Sequence, residues 1–216
     1  MVLRIAQALE LPLRAQNELL AAAGYTPVYQ ERPLDAEPME RVRGALERIL
    51  RHHEPYPAMV LDRYWNILMR NEANVRVVGY FVDADAFAQR SPGGKLNFVR
   101  LMFAADGLRP HVKDWETAAP LLMARVRREA RANPSSPSAA LAAEFASVVP
   151  AFEPPHASVQ DLPAAAPLVL ERDDITLSLI NMLTTFGTAQ DVGVQELRVE
   201  MSFPNDAATD RALRGR

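Results

Sequence analysis

Cysteine is absent from all 216 residues. That omission excludes a disulfide framework, a thiolate nucleophile, a thiolate-bound zinc or iron–sulfur centre and a cysteinyl–flavin photosensor. Long apolar runs are missing too. No segment approaches the ~18 apolar residues of a membrane span, and Arg4, Gln7 and Glu10 interrupt the N-terminal stretch MVLRIAQALELP where a signal peptide needs continuous apolar sequence. A cytoplasmic protein with no membrane partner is expected. Lysine is scarce: Lys95 and Lys113 are the only two, so the basic charge rests on arginine, a bias that points to genome composition rather than to a choice of guanidinium geometry. A net charge of -3 exerts no global pull toward nucleic acid or an anionic membrane.

The signatures of chemistry are equally sparse. Gly93-Gly94 and Gly187 fit neither the Walker nor the dinucleotide-binding glycine pattern, and no serine stands in a G-x-S-x-G elbow. His52-His53 fall at the end of a helix, where the partial negative charge favours a cation. His111 and His156 follow prolines in loops, with no Glu or His at the spacing of a ligand pair. No enzyme, metal site or resident cofactor is expected. Arg125, Arg127, Arg128 and Arg131 lack interleaved aromatics and are offset by Glu129, which reads as a solvated helix face.

What is present is enough apolar material, 49% of residues, to bury one core. Val2, Ile5, Ala6 and Leu9 recur at helical spacing, and a second helix over 12–23 carries Leu13, Gln16, Leu20 and Ala23 on one stripe before Gly24. A polar, proline-rich linker occupies 26–38, and Met39 to His52 forms an amphipathic helix with Met39, Val42, Leu46 and Ile49 inward. The period then changes to two. Trp65, Ile67 and Met69 alternate with polar or outward positions, predicting a β-hairpin that turns near Asp62-Arg63. Residues 71–131 are mostly helical, with Trp115, Ala118, Ala119, Leu122 and Val126 on one face of the longest helix. Leu141, Phe145 and Val148 mark a further helix, and five prolines between Pro150 and Pro167 an irregular crossing. Strands are predicted over 168–171, 174–186 and 194–203, the last with Leu197, Val199, Met201 and Phe203 inward and Arg198, Glu200 and Ser202 outward. The fold class is α+β: an antiparallel sheet of about five strands, covered on one face by helices and preceded by two to three N-terminal helices.

A half-covered sheet leaves Trp65, Ile67, Met69, Phe98, Leu101, Met102, Phe103, Trp115, Leu183 and Phe186 as candidate pocket residues, with plain core filling as the alternative for each. Asn97 and Arg100, in LNFVRLMF, are candidates for a ligand's polar head, an arginine beside apolar surface being a natural partner for a carboxylate. The alternative for Arg100 is a surface pair with Asp106.

The stretch AMVLDRYWNILMRNEANVRVVGY resembles the opening of PAS domains, with Asp62, Asn71, Ala73 and Gly79 at the positions where such domains carry a hairpin, an Asn, small residues and a Gly. The segments NFVRLMFAADGLRPHVKDWETAAPLLMARVRREA and LINMLTTFGTAQDVGVQELRVEMSFPNDAATDRALR more specifically resemble the MmyB-like ligand-binding domain of bacterial transcription regulators. The resemblance implies three units: residues 1–29 as the C-terminal part of an XRE-type helix-turn-helix domain, ending in AGYTPVY; 30–54 as linker and connecting helix; and 55–208 as a PAS-like, effector-sensing domain. The helices that would precede residue 1, including the one that enters the major groove, are absent from this sequence, so DNA binding is expected only through that missing part. The implied partner is a small amphipathic effector, with a fatty acid favoured; a PAS-like dimerisation module with a filled core and no ligand is the alternative, and a homodimer would accompany it.

Overall fold

The computed structural model describes residues 1–132, 136–149 and 166–215; the predicted crossing rich in prolines falls largely outside them. Helices α1 (Val2–Ala8) and α2 (Leu13–Ala22) pair, and the chain runs through an irregular segment and a single 3₁₀ turn at Glu37–Met39 into α3 (Glu40–His52). The hairpin β1 (Ala58–Leu61) and β2 (Ile67–Arg70) follows. Then come α4 (Glu72–Phe81), α5 (Ala84–Arg90), α6 (Phe98–Phe103), α7 (Trp115–Ala132) and α8 (Pro137–Glu144). Strands β3 (Leu168–Arg172) and β4 (Ile175–Thr184), the short helix α9 (Val192–Glu196), β5 (Arg198–Pro204) and α10 (Ala207–Leu213) complete the order.

Most of these helices begin where a short polar side chain takes up a free backbone N–H. Asn71, Asp83, Asn97, Ser136, Asp191 and Asp206 each accept from the first turn of the helix they precede. Asn71 does more. Its Oδ1 also accepts from Ala58 N at 2.9 Å, and its Nδ2 donates to Tyr56 O and Leu50 O, tying α3, β1 and α4 at one buried point.

The five strands form one antiparallel sheet in the order β2-β1-β5-β4-β3. Contrary to expectation, helices cover both faces. On the inner face, Met59, Leu61, Leu177 and Leu179 pack against the α4–α8 layer, whose most deeply buried side chains include Leu101, Met102, Met123 and Val126. On the outer face, Ala58, Val60, Leu197 and Val199 meet Leu46 and Leu50 of α3. Each such leucine, fully withdrawn from water, contributes about 1.5–3 kcal/mol, which holds this amphipathic helix against the sheet.

Two further differences follow from local geometry. The last predicted strand starts only at Arg198, because Asp191 Oδ1 accepts from Gly193 and Val194 and winds residues 192–196 into α9. Within the first hairpin, Val60 lies opposite Met69 and Leu61 opposite Ile67, so Leu68 is an extra residue in a β-bulge. The alternation breaks there: Ile67 packs on the inner core and Met69 on the outer one.

Candidate ligand site

The hairpin turn places Trp65. Asp62 Oδ1 accepts from Tyr64 N at 2.7 Å and Asn66 N at 2.9 Å, and Asp62 O accepts from Trp65 N at 3.1 Å. The turn holds Trp65 at φ 65°, a left-handed conformation that costs a bulky residue on the order of 1–3 kcal/mol and persists only where surrounding contacts impose it. Those contacts are visible. Trp65 is 2% exposed, its ring is stacked with Phe98 at 6.2 Å, and its carbonyl accepts from Phe98 N.

Two guanidinium groups complete the surroundings of that ring. Arg198, at the start of β5, and Arg125, on α7, stand 4.5 and 4.6 Å from its centre, each arrangement worth up to about 2 kcal/mol when desolvated. Glu129, one turn along α7 from Arg125, supplies the opposing charge. Its Oε2 accepts from Ser138 Oγ at 2.6 Å and Trp65 Nε1 at 3.2 Å, and its Oε1 lies 3.0 Å from Arg198 Nη1. Trp65 Nε1 also donates to Ser138 Oγ at 3.0 Å.

Glu200 faces the same space from the central strand. It is 6% exposed, lies opposite Met59 on one side and Leu183 on the other, and its nearest cation is Arg125 Nη1 at 3.9 Å. No described side chain hydrogen-bonds its carboxyl, and burial, only partly countered by Arg125 and Arg198, pushes it up to about 7. Burial likewise lowers Arg125, with the like charge of Arg198 adding to the effect. Arg125 Nη2 is buried without an acceptor, whereas Arg198 Nη1, also out of hydrogen-bond alignment, is ion-paired to Glu129 at 3.0 Å. Below the Glu200 value, with that group protonated, two arginines share one carboxylate and the cluster is net positive; above it two carboxylates balance the two arginines.

The residues singled out from the sequence are divided among several places. Trp65, Leu101, Met102 and Phe103 lie in the inner core at 1–2% exposure, with Ile67, Phe98 and Trp115 packed against it. Met69 and Phe186 pack on the outer face, and Leu183 is 42% exposed beside Glu200 on the inner one. Asn97 is buried with its amide committed: Nδ2 donates to Tyr64 O and Oδ1 accepts from Arg100 N. Arg100 forms a two-point pair with Glu144 at 2.6 and 2.9 Å, and Asp106 binds Arg90 instead. Arg125, expected on a solvated face, is the arginine drawn inward. Arg198 and Glu200, expected to point outward from β5, face the inner helix layer instead, and Glu129 and Ser138 were not candidates. The signal for Arg198 and Glu200 was the amphipathic helix ahead of the hairpin: once α3 takes one face of β5, the alternate residues have no solvent to face.

Away from the cluster, two clefts open on the surface. One, of about 670 Å³, lies on the outer side of the sheet between the segment after α2, the hairpin and α9; the other, of about 420 Å³, lies between α4, α10 and the β3–β4 hairpin. His53 Nε2 is 2.9 Å from Ser202 O and its ring meets Phe203 edge-on, and His111 lies against Phe81; His156 is outside the described residues. Among the described residues no three His, Asp or Glu side chains converge as metal ligands, and no helix is long and apolar enough to cross a membrane.

The N-terminal helices meet the sheet through α9. Gln195 Oε1 accepts from Leu13 N at 2.7 Å, supplying the cap that Pro12 lacks, and Glu196 takes Arg14 in a two-point contact at 2.7 and 2.8 Å. Glu31 also holds Arg14 at 2.6 Å, and the shared cation keeps Glu31 below the usual carboxylate range. Gln30 O accepts from Val192 N, and a Cβ on Gly193 would lie 3.1 Å from Arg32 O, so a larger residue would require this close backbone to shift by a few tenths of an ångström.

A family model described as the MmyB-like transcription regulator ligand binding domain matches residues 42–215. The chain belongs to that family. The MmyB-like domain thus takes in α3, the whole sheet and the helices on its inner face, and the family is one of regulator ligand-binding domains rather than of enzymes. No curated protein sequence matches this chain. Among solved structures it is similar to an RNA-binding light-oxygen-voltage receptor, at 14% identity and TM-score 0.35, covering 94% of this chain and 45% of that one. It is also similar to a variant of RsLOV, at 12% identity and TM-score 0.34, covering 80% and 76% of the two chains. The MmyB-like chain therefore spans under half the length of the first of these proteins, and likenesses this distant carry no argument about its ligand.

Proposed function

We propose that the chain is the effector-sensing part of a transcription regulator and that its effector is a small amphipathic acid, a fatty acid first among candidates, whose acid group enters the cluster under Trp65. One observation carries this reading: Arg125 and Arg198 are pressed against the same ring, and Arg125, whose ion pairs to Glu200 and Glu129 are 3.9 and 4.0 Å long, keeps Nη2 buried without an acceptor. Each such group costs about 1–3 kcal/mol while unmet, and a carboxylate accepts from guanidinium groups in pairs. The apolar part of the ligand would gain roughly 0.8 kcal/mol for each methylene laid along the inner face. Leu183, exposed and next to Glu200 on that face, marks the side from which it would arrive. On this reading the acid's partners are Arg125 and Arg198 rather than Arg100 and Asn97. Residues 1–29 would be the tail of a helix-turn-helix unit, 30–54 the connection and 55–208 the sensor.

The test is a titration with dodecanoate, monitored by Trp65 fluorescence in a Trp115→Phe background. Saturable binding is expected, weakened at least about tenfold, or about 1.4 kcal/mol, by Arg125→Met, while dodecanol binds both proteins alike. Absence of binding, or binding indifferent to Arg125, would overturn the proposal. The near-complete burial of Leu101, Met102 and Phe103 favours a filled-core dimerisation module as the second reading, and dimers by sedimentation without a dodecanoate response would establish it.

A further inference from the structure

We infer that Glu200 is a built-in competitor of the effector's acid group, so that the acid enters the cluster under Trp65 together with one proton, taken from solvent and held on Glu200. The inference rests on the reading that an acid is received there, and it adds the condition under which the cluster can accept one. Around the buried ring the described charges are Arg125 and Arg198 against Glu129 and Glu200. With all four ionised the count is even. A further carboxylate makes three against two in a space largely withdrawn from water, where an uncompensated charge costs far more than at the surface. One carboxylate has to lose its charge, and the geometry singles out Glu200.

Glu129 is committed. It takes Arg198 at 3.0 Å, Ser138 Oγ at 2.6 Å and Trp65 Nε1 at 3.2 Å, and its side chain is 32% exposed. Glu200 has none of these supports: it is almost fully buried, and its contact to Arg125 Nη1 is a loose one at 3.9 Å. The groups that face it from α7 and from its own strand are Arg125, Glu129 and Arg198, with Ser138 on α8 behind them. Across the sheet it meets Met59 on β1 and Leu183 on β4, and Arg70 of β2 stands one strand further, opposite Met59. Arg125 is the group over which the two acids meet, since Nη1 faces Glu200 and Nη2 is buried without an acceptor. An acid accepting from Nη2 shares one guanidinium with Glu200, and two carboxylates so placed disfavour each other's ionisation. Protonated, Glu200 no longer competes, and its carboxyl gains an O–H to donate. Acid and proton are then bound as a pair, each raising the affinity for the other, and the regulator responds to both together.

Burial already pushes Glu200 up to about 7 in the empty cluster, so affinity for the acid is full in mildly acid solution and falls about tenfold per pH unit above that value. The test is the dodecanoate titration of the Trp115→Phe protein at pH 6 and pH 8.5, joined by calorimetric titration at pH 8.5 in buffers of different ionisation enthalpy, which counts protons. Dodecanoate is ionised at both pH values. Binding about thirtyfold weaker at pH 8.5 is expected, with about one proton taken up per acid bound. In Glu200→Gln the weakening and the uptake should both vanish. Equal affinity at the two pH values, or no proton uptake by the Trp115→Phe protein, would overturn the inference while leaving the acid site standing. So would a pH dependence retained in Glu200→Gln, which puts the proton on the acid itself. Absence of binding at pH 6 would overturn the acid site and this inference together.

Discussion

Replacing Glu200 with glutamine isolates the buried carboxyl at the centre of the sheet. Burial raises this group from an ordinary value of 4.5 to about 7. Between those values the folded chain binds a proton that the unfolded chain has released, so stability falls as pH rises through the window and levels off above it. At about 1.4 kcal/mol per pH unit, the loss comes to about 3 kcal/mol, most of it between pH 5 and pH 7. The expected result is that Glu200→Gln, measured by urea unfolding at closely spaced pH values, removes this decline. The variant's advantage over the parent should grow by about 3 kcal/mol from acid to neutral pH. Carboxylates held low, such as Glu31 beside Arg14, act in the opposite sense and at more acid pH, and they are common to both proteins. Parallel stability curves for parent and variant across pH 5–7 would refute the assignment of a buried, poorly solvated carboxyl to Glu200.

Two other perturbations address the framework. Asn71→Ala removes the cap of α4 and the acceptor for the buried Ala58 N–H, so a loss of about 3 kcal/mol is expected, a cap being worth about 1 kcal/mol and an orphaned buried donor about 1–3; a loss below about 1 kcal/mol in denaturant unfolding would contradict this. Glu196→Ala frees Arg14 from its two-point contact, and chymotryptic cleavage at Tyr25, already 60% exposed, is expected to quicken about fivefold as the segment opens locally, with an unchanged rate counting against α9 as the anchor of α2.

The arrangement of strands and helices was legible because most of its signals are local. The stripe of α2 and the period of two in β5 need only a few neighbours, whereas the capping of helices by Asn71, Asp83, Asn97 and Asp206, and the last helix itself, emerge only in the structure. The site was less legible. Arg100 and Arg125 are both arginines on helices flanked by apolar residues, and nothing local distinguishes them; what does is Glu144, 44 positions away, which claims Arg100 at the surface, and Trp65, 60 positions away, which draws Arg125 in. The inward turn of Arg198 and Glu200 depends on which face α3 occupies, a choice made by the whole sheet. Met69 changed faces for a different reason, since a single inserted residue defeats any count based on strict alternation.

That inserted residue has its own meaning. With Leu68 removed from β2, Ile67 and Met69 would be adjacent, and ordinary alternation would still send one to the inner core and the other to the outer. The sheet would keep both of its faces. Leu68 is thus surplus to the strand, and what the chain obtains by carrying it is a large apolar side chain at the mouth of the outer cleft, added without disturbing any pairing that the fold requires.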